Sequence, residues 1–448
     1  MSEKLPQDKS AAKEEWKTLP SLRYTKYDLG NIALTALVMA YSKLVSMSSE
    51  KNVVLPSEDP LLNISAVKAA DEIRQGKLKS FDLVSAYLKR IRDVDHFINA
   101  VTELFEAEAL NRAKEVDDYL DKIRNNPEEI EKIKSEKPLL GLPISVKSSF
   151  DYKGYRNVCG LAHRRHLPPA ENHSVAVDRV INAGAIPICY TNVPPGCMAF
   201  ETHNPVYGRT SNPHDTRATS GGSSGGEGAL ISAQGSLFGI GTDLGGSIRI
   251  PSALNGIYGL KTGITTCPLD GHQPNVSVKD ENRGLLVIGP MCRYAEDLPL
   301  LHQNRQFNVL KEFFKCVLGS SEISAVTLGV CYGSGANLSN ESVEEAERHV
   351  KVIRKHLEDT LGDNGILIFP GMPETHYFHN GFALPASAYT AIFNAMSLPS
   401  LAVPCGRCEQ GYPISVQIVG SHGSEPLLMA AAAQMEERFG GWVKPIQK

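Results

Sequence analysis

The sequence lacks both a marked charge imbalance and a cluster of basic residues. Its 448 residues contain 46 lysines and arginines against 50 aspartates and glutamates, which gives a formal net charge of −4. A protein that binds nucleic acid through the phosphate backbone needs a concentrated basic surface, often interleaved with aromatic side chains. The sequence offers no such patch, so nucleic acid is not an expected partner.

Long hydrophobic runs are also missing. The most apolar segment, residues 29–47, includes Lys43 and falls short of the roughly 20 apolar residues that a spanning helix needs. The preceding residues 1–28 form a polar arm with acidic side chains, which argues against a cleaved signal peptide. We expect segment 29–47 to lie on a membrane surface, so that the protein is intracellular, membrane-associated and otherwise cytoplasmic. The alternative is an amphipathic helix that packs on the domain or on a partner subunit.

The sequence contains no recognisable metal site or nucleotide-binding loop. Cys405 and Cys408 form an isolated Cys-x-x-Cys pair, whereas a zinc ribbon needs a second pair at suitable spacing. A Walker loop requires Gly-Lys-Ser/Thr, which follows none of the glycines in the glycine-rich region. The dinucleotide-binding pattern is nearly matched by Gly239, Gly241 and Gly245, but the third glycine stands one place too late. We therefore expect no metal and no cofactor.

The most informative feature that is present is a dense Gly/Ser stretch at residues 221–252. It contains Ser223 and Ser247, both flanked by glycines whose N–H groups can approach a substrate oxygen without a Cβ in the way. Backbone amides of this kind form oxyanion holes. A flexible linker is the alternative, but a solvated linker would not carry the leucines and isoleucines that run through this stretch.

Two common serine-hydrolase arrangements fit the stretch less well. Residues 221–225 match the letters of the G-x-S-x-G nucleophile elbow, but residues 212–220 before them are polar and turn-forming, where the elbow needs a buried strand. A Ser–His–Asp triad stays open as an alternative, although no pairing with an elbow serine is apparent. The histidines close to the stretch are His163, His166, His173, His203 and His214.

The stretch resembles the signature of the amidase signature family, whose members are serine hydrolases with a Ser–Ser–Lys triad. Upstream, residues 141–147 (GLPISVK) resemble the family's strand that ends in the catalytic lysine. Further similar segments follow in the family's order, namely Gly-Ala-Ile-Pro at 184–187, Thr191-Asn192, Asn204-Pro205 and Asn212-Pro213.

The resemblance implies that Ser247 is the acylated nucleophile, Ser223 the bridging serine and Lys147 the base. Serine is a weak nucleophile at its ordinary pKa and must give its proton to a neighbour. Lysine accepts a proton only when it is neutral, which requires a buried site that lowers its pKa. The family also holds the bridging serine across a cis peptide bond, here from Gly222.

The resemblance also implies an oxyanion hole made of four consecutive backbone amides, those of Leu244, Gly245, Gly246 and Ser247. Thr242 and Asp243 would brace this turn. Residues 248–253, with Pro251 in the first turn, predict a helix start directly after the nucleophile. We expect Arg249 on that helix to be a structural ion-pair partner rather than a substrate contact.

Two more segments, at 289–298 and 439–442, resemble one branch of the family, the fatty-acid amide hydrolases of the second type. This implies a serine hydrolase that cleaves a lipid amide to a fatty acid and an amine through an acyl-enzyme intermediate. A homodimer is compatible with this function. Two alternatives stay open: an amidase or esterase that acts on a small polar substrate, and an inactive amidase-like protein that lacks part of its core.

The pattern of apolar residues predicts an α/β fold. Val84, Tyr87, Leu88 and Ile91 follow the spacing of an amphipathic helix, and strands and helices alternate as in a sheet covered on both faces. Short buried strands are predicted at 142–146, 186–190, 237–240, 366–369, 400–403 and 414–419. The resemblance implies one catalytic domain at 57–448 with a mixed, twisted central sheet. Because the chain is short around 300–340 for this branch, a core segment near residue 305 is expected to be missing.

Overall fold

The computed structural model describes residues 26–263, 267–274, 285–302, 340–381 and 387–447. Within these ranges nine strands form one mixed sheet, and twelve α-helices flank it. The predicted α/β fold and the mixed central sheet that the resemblance implied are thus confirmed. Most of the polar arm, residues 1–25, and the expected missing segment near residue 305 lie outside the described residues.

The strands are numbered along the chain. They are β1 (Val101–Leu104), β2 (Pro143–Lys147), β3 (Ile186–Thr191), β4 (His203–Asn204), β5 (Gly208–Arg209), β6 (Ser211–Asn212), β7 (Asp215–Thr219), β8 (Phe238–Asp243), β9 (Tyr258–Lys261), β10 (Val287–Cys292), β11 (Leu367–Pro370), β12 (Ser400–Arg407) and β13 (Pro413–Val419). Strands β4 to β7 form two small two-stranded ladders beside the main sheet.

The helices are numbered in the same way. They are α1 (Lys26–Ser46), α2 (Ala66–Arg74), α3 (Ser80–Ile98), α4 (Glu106–Ile123), α5 (Pro127–Glu136), α6 (Val175–Asn182), α7 (Gly225–Ser232), α8 (Arg249–Asn255), α9 (Asp297–His302), α10 (Asn340–Leu361), α11 (Ala388–Ala395) and α12 (Glu425–Phe439). The predicted apolar stripe of Val84, Tyr87, Leu88 and Ile91 lies on α3 and is buried in the main core.

The order of strands in the main sheet is β1-β3-β2-β8-β10-β9-β12-β13-β11. Strand β2 runs parallel to both of its neighbours, β3 and β8, and the other pairings in this sheet are antiparallel. The carboxyl ends of parallel strands lie at the same edge of a sheet, which is where open α/β sheets bind their ligands. The ends of β2 and β8 therefore mark the place to look for a site.

All six strands predicted from apolar runs are confirmed in the main sheet, but its other three strands, β1, β9 and β10, were not predicted. Strand β10 contains Gly289 and Pro290, a pair that is more typical of turns. Its conformation is imposed by the neighbouring strand: a Cβ on Gly289 would lie 1.9 Å from the carbonyl oxygen of Leu260 in β9. Only glycine allows this close approach of two backbones.

Helix α1 corrects the prediction of a membrane-associating segment at 29–47. In the described ranges, no helix combines the length and the apolar character that crossing a membrane requires. Met39 of α1 packs against a buried cluster that includes Ile250 and Tyr377, and Ser42 and Ser46 are buried. The expectation that this segment associates the protein with a membrane is therefore wrong, and the alternative of a helix packed on the domain describes it.

Candidate active site

The adjacent ends of β2 and β8 bring predicted site residues together. Lys147 is the last residue of β2, and Thr242 is the next to last residue of β8. The Nζ atom of Lys147 lies 2.7 Å from Oγ1 of Thr242 and 2.8 Å from Oγ of Ser223. A lysine, a threonine and a serine that are far apart in sequence thus form one hydrogen-bonded group.

Lys147 is fully buried at this position. Burial lowers the pKa of its ammonium, because the charged form loses its hydration, while the acidic groups of Cys197, Cys159, Asp243 and Glu227 act in the opposite direction. The net effect is a lowered pKa. The neutral amine, which can accept a proton, is accordingly easier to form here than in water.

Ser223 and Ser247 lie on two segments that adjoin. The peptide bond between Gly222 and Ser223 is cis, as the resemblance implied. The N–H of Ser224 donates a hydrogen bond to the carbonyl oxygen of Ser247 at 3.1 Å. Exposure increases from Lys147 (0 %) through Ser223 (1 %) to Ser247 (6 %). Of the three side chains, Ser247 is thus the one nearest to solvent.

Asp243 organises the turn that carries Ser247. Its two carboxylate oxygens accept hydrogen bonds from the N–H of Gly246 at 2.8 Å and from the N–H of Ile248 at 3.1 Å. Burial would raise the pKa of this carboxyl, but the charge and hydrogen bonds of Arg249 outweigh it and hold the pKa well below its usual range. Asp243 therefore remains ionised and fixes the backbone on both sides of Ser247.

Arg249 is almost completely buried, which agrees with the structural role that the sequence suggested. It forms an ion pair with Asp243 at 3.0 Å. Its Nη1 atom also donates to the carbonyl oxygen of Thr390 at 2.9 Å and to Oε1 of Gln417 at 3.1 Å, while Nη2 bonds Asn394. The guanidinium thus links α8 to α11 and β13, and its donors are used within the protein.

The amides predicted to form the oxyanion hole differ in whether their N–H groups already donate a hydrogen bond within the protein. In the described part of the chain, no acceptor is hydrogen-bonded to the N–H groups of Leu244, Gly245 or Ser247. The N–H of Gly246 already donates to Asp243, so its predicted role as a free donor needs correction. Gly246 has a φ of 129°, and a Cβ there would lie 2.1 Å from Oγ1 of Thr390. Its contribution is therefore the shape of the turn.

Glu227 on α7 was not predicted from the sequence. Its carboxyl accepts hydrogen bonds from the hydroxyl of Ser145, two residues before Lys147 on β2, and from that of Thr191 at the end of the neighbouring strand β3. Burial raises its pKa to about 7, against the opposing effects of these hydrogen bonds and of Lys147. No local motif marks this glutamate, since its partners come from 36 to 82 residues away in sequence.

The histidines close to the Gly/Ser stretch left a Ser–His–Asp triad as an alternative to the lysine. His163 and His166 belong to an exposed single turn of helix at Ala162–His166. The ring of His214 is buried and lies 3.2 Å from the carbonyl oxygen of Asn255. Among the described residues, no histidine is hydrogen-bonded to Ser223 or Ser247.

Comparison with known proteins adds evidence that is independent of this geometry. The family model described as Amidase matches residues 82–312, just over half of the chain. Fatty-acid amide hydrolase 2 of Homo sapiens is 30 % identical over 527 residues, covering 95 % of this chain and 97 % of the relative. That alignment is longer than the 448 residues of the chain, so the relative contains sequence with no counterpart here.

Two further matches are to an acetamidase sequence and to a solved structure. An acetamidase of Aspergillus oryzae is 34 % identical over 270 residues, which cover 60 % of this chain and 46 % of the relative. A solved structure described as fatty acid amide hydrolase matches with a TM-score of 0.69 at 20 % identity and covers 86 % of both chains, which shows that the fold is shared. The family model, the relative that spans nearly the whole chain and the shared fold lead to one conclusion: the chain belongs to the amidase signature family of amide hydrolases.

Proposed function

We propose that this chain hydrolyses fatty-acid amides to a free fatty acid and an amine, with Ser247 as nucleophile, Ser223 as proton relay and Lys147 as base. The observation that carries the proposal is the 2.8 Å contact between the fully buried Nζ of Lys147 and Oγ of Ser223. A lysine whose pKa is lowered by burial can take a proton from a serine without a histidine.

The reaction follows from these positions. Oγ of Ser247 attacks the amide carbonyl carbon while its proton passes through Ser223 to neutral Lys147. The amides of Leu244, Gly245 and Ser247 stabilise the oxyanion. The C–N bond then breaks, and the leaving nitrogen takes a proton back along the same path. Water attacks the resulting ester, its proton follows the relay, and the acid leaves as Ser247 regains its hydrogen.

The proposed fatty acyl group is supported by the surroundings as well as by the relatives. Leu37, Tyr41 and Leu44 of α1 are each more than 65 % exposed. Met39 of the same helix packs against the cluster around Ile250, three residues after Ser247. An acyl chain leaving the site on this side would cover apolar surface that is otherwise in water, which is favourable.

The nucleophile is tested by labelling with a fluorophosphonate, which reacts with activated serines. The wild-type chain should be labelled once, and Ser247→Ala should abolish labelling. Ser252→Ala is the matched control, because Ser252 is also buried on α8 but its hydroxyl donates to the carbonyl oxygen of Ile248 at 2.8 Å. Labelling that persists in Ser247→Ala would refute the assignment, and no labelling of the wild type would favour the inactive alternative.

The acyl length is tested by competition between a long-chain and a short-chain fatty amide. We expect the long-chain amide to win, and Leu37→Ser with Leu44→Ser to raise KM for it while leaving the short-chain amide unaffected. The matched control is Ile368→Ser, since Ile368 is 63 % exposed on β11 at the edge of the sheet. A preference for the short-chain amide would favour the small-substrate alternative, which the similarity to the acetamidase supports.

A further inference from the structure

Two cysteines from different loops meet beside the proposed relay. Cys159 precedes Gly160 in a turn, and Cys197 ends a single turn of helix at Pro195–Cys197. Their sulfur atoms are 3.8 Å apart. The N–H of Gly196 donates to the carbonyl oxygen of Cys159 at 2.9 Å, so the two loops are joined by backbone as well as by the thiols.

The backbone at both cysteines is unusual. Cys159 has a φ of 48° and Cys197 a φ of 60°, which is the left-handed region that non-glycine residues rarely adopt. A disulfide bond is about 2.05 Å long. The sulfurs are thus within about 2 Å of bonding distance, on two loops whose backbone is already held together.

The two thiols have different environments. Cys159 is fully buried, whereas Cys197 is partly exposed. The hydrogen bond from the Cys159 thiol and the hydroxyls of Ser223 and Ser149, together with the charge of Lys147 when its amine is protonated, lower the pKa of Cys197, although burial opposes them. The pKa of Cys159 is raised by its bond to Cys197 and by burial. Cys197 thus carries the better nucleophile of the two, since the thiolate is the reactive form.

The loop of Cys197 packs directly on the segment that carries Ser223. A Cβ on Gly222 would lie 2.8 Å from the carbonyl oxygen of Ala199 and 3.0 Å from the N–H nitrogen of Glu201. There is accordingly no free space between the two segments. A shift of the loop towards Cys159 would change the position of Ser223 relative to Lys147.

We propose that Cys197 and Cys159 are a reversible redox pair that a peroxide converts to a disulfide, and that the disulfide switches the hydrolase off. The thiolate sulfur of Cys197 attacks one peroxide oxygen, an S–O bond forms, the O–O bond breaks and hydroxide leaves. The sulfur of Cys159 then attacks the sulfenic acid at Cys197, an S–S bond forms and the S–O bond breaks. Each step releases one hydroxide, and the two hydroxides take up the protons of the two thiols, so two thiols reduce one peroxide to two waters. The loss of hydrolysis rests on the proposed function, but the formation of the disulfide does not.

The experiment treats the full chain with hydrogen peroxide and maps disulfides by mass spectrometry, while amide hydrolysis is followed in parallel. We expect a peptide pair linked through Cys159 and Cys197, a loss of hydrolysis of at least tenfold, and recovery of both after dithiothreitol. Cys159→Ser should leave Cys197 as a sulfenic acid that dimedone traps, without the linked pair. The Cys405→Ser, Cys408→Ser double variant is the matched control and should still form the linked pair.

The outcomes separate the two proposals. Failure to link Cys159 and Cys197 under peroxide that oxidises other thiols of the folded chain would overturn the redox pair. A linked pair with unchanged hydrolysis would overturn the switch. A chain that forms the linked pair but hydrolyses no amide in either state would count against the proposed function and leave the redox pair supported.

Discussion

At the scale of residues, Lys147 is unusual because it is buried next to hydroxyls. Its hydrogen bonds in the described part of the chain go to Ser223 and Thr242, and none goes to a carboxylate. A buried ammonium that lacks a paired charge is unstable and tends to lose its proton. The burial of this side chain therefore fits the base that we propose, and the two hydroxyls hold its Nζ in place.

A first prediction concerns the shared proton path. Lys147→Ala and Ser223→Ala should each lower kcat by about three orders of magnitude, because residues that act as one unit cost nearly the whole effect when either is removed. The double variant should be little worse than the worse single one. Steady-state kinetics of the three variants checks this, and losses that multiply would mean that the residues do not share a proton path.

A second prediction concerns pH. Lys147 can act as the proposed base only when it is neutral, so kcat/KM should reach a plateau at high pH and fall as the pH drops through the pKa of this side chain. Because burial lowers that pKa, the midpoint should lie below the value of about 10.4 of a free lysine. The profile is measured with far-UV circular dichroism at each pH as a check of folding. A midpoint at or above that of free lysine would contradict the prediction.

At the scale of elements, the ion pair of Asp243 and Arg249 holds strand β8, helix α8 and helix α11 together. Asn394 of α11 donates to Oδ1 of Asp243 at 3.0 Å and also bonds Arg249. Removing one partner of a buried ion pair leaves the other charge without compensation. The turn between β8 and α8 therefore depends on this network for its shape.

A third prediction follows from that network. Arg249→Met should lower the free energy of unfolding by about 3–5 kcal/mol, because the carboxylate of Asp243 would remain buried and unpaired. Urea denaturation measures the change. The control is Arg354→Met, whose ion pair with Glu358 on α10 is half-buried at 3.5 Å and should cost less than about 1 kcal/mol. Equal losses in the two variants would show that the network does not stabilise the turn.

At the scale of the whole molecule, the chain is shorter than the human relative that it matches over most of its length. The expected position of the missing segment, near residue 305, lies outside the described residues. Among the described strands, β11 is the first of the main sheet after this region and lies at one of its edges, and Ile368 on it is 63 % exposed. An exposed apolar edge strand is a template for aggregation.

A fourth prediction is that a longer chain, with the expected missing segment inserted, has a more stable fold. Inserting the relative's additional segment after Asn304 should raise the unfolding midpoint and the yield of monomer. Folded proteins are stable by only about 5–15 kcal/mol, so the loss of a core segment would remove a large part of the free energy of unfolding. Thermal unfolding and size-exclusion chromatography measure the effect. Full activity without any gain from the insertion would show that the fold tolerates the shorter chain.

Much of this fold and site could be predicted from short stretches of sequence. Runs such as 414–419 are apolar enough to predict strands, and the glycines around Ser223 and Ser247 predict a loop that can approach a substrate. Strand β10 could not be predicted, because Gly289 and Pro290 adopt an extended conformation only under the constraint of neighbouring strands. Nor could Glu227, because its partners are distant in sequence and no local pattern reports them.

The contacts of Arg249 with Thr390 and Gln417 have a consequence for synthesis of the chain. A nascent chain that has emerged as far as Ser252 already contains the lysine and both serines, but helix α11 and strand β13 have not yet been translated. The turn around Ser247 is held in shape from outside by those later elements. Hydrolytic activity should therefore appear only when almost the entire chain has left the ribosome, and incomplete translation products should contain the proposed catalytic residues without the turn that they need.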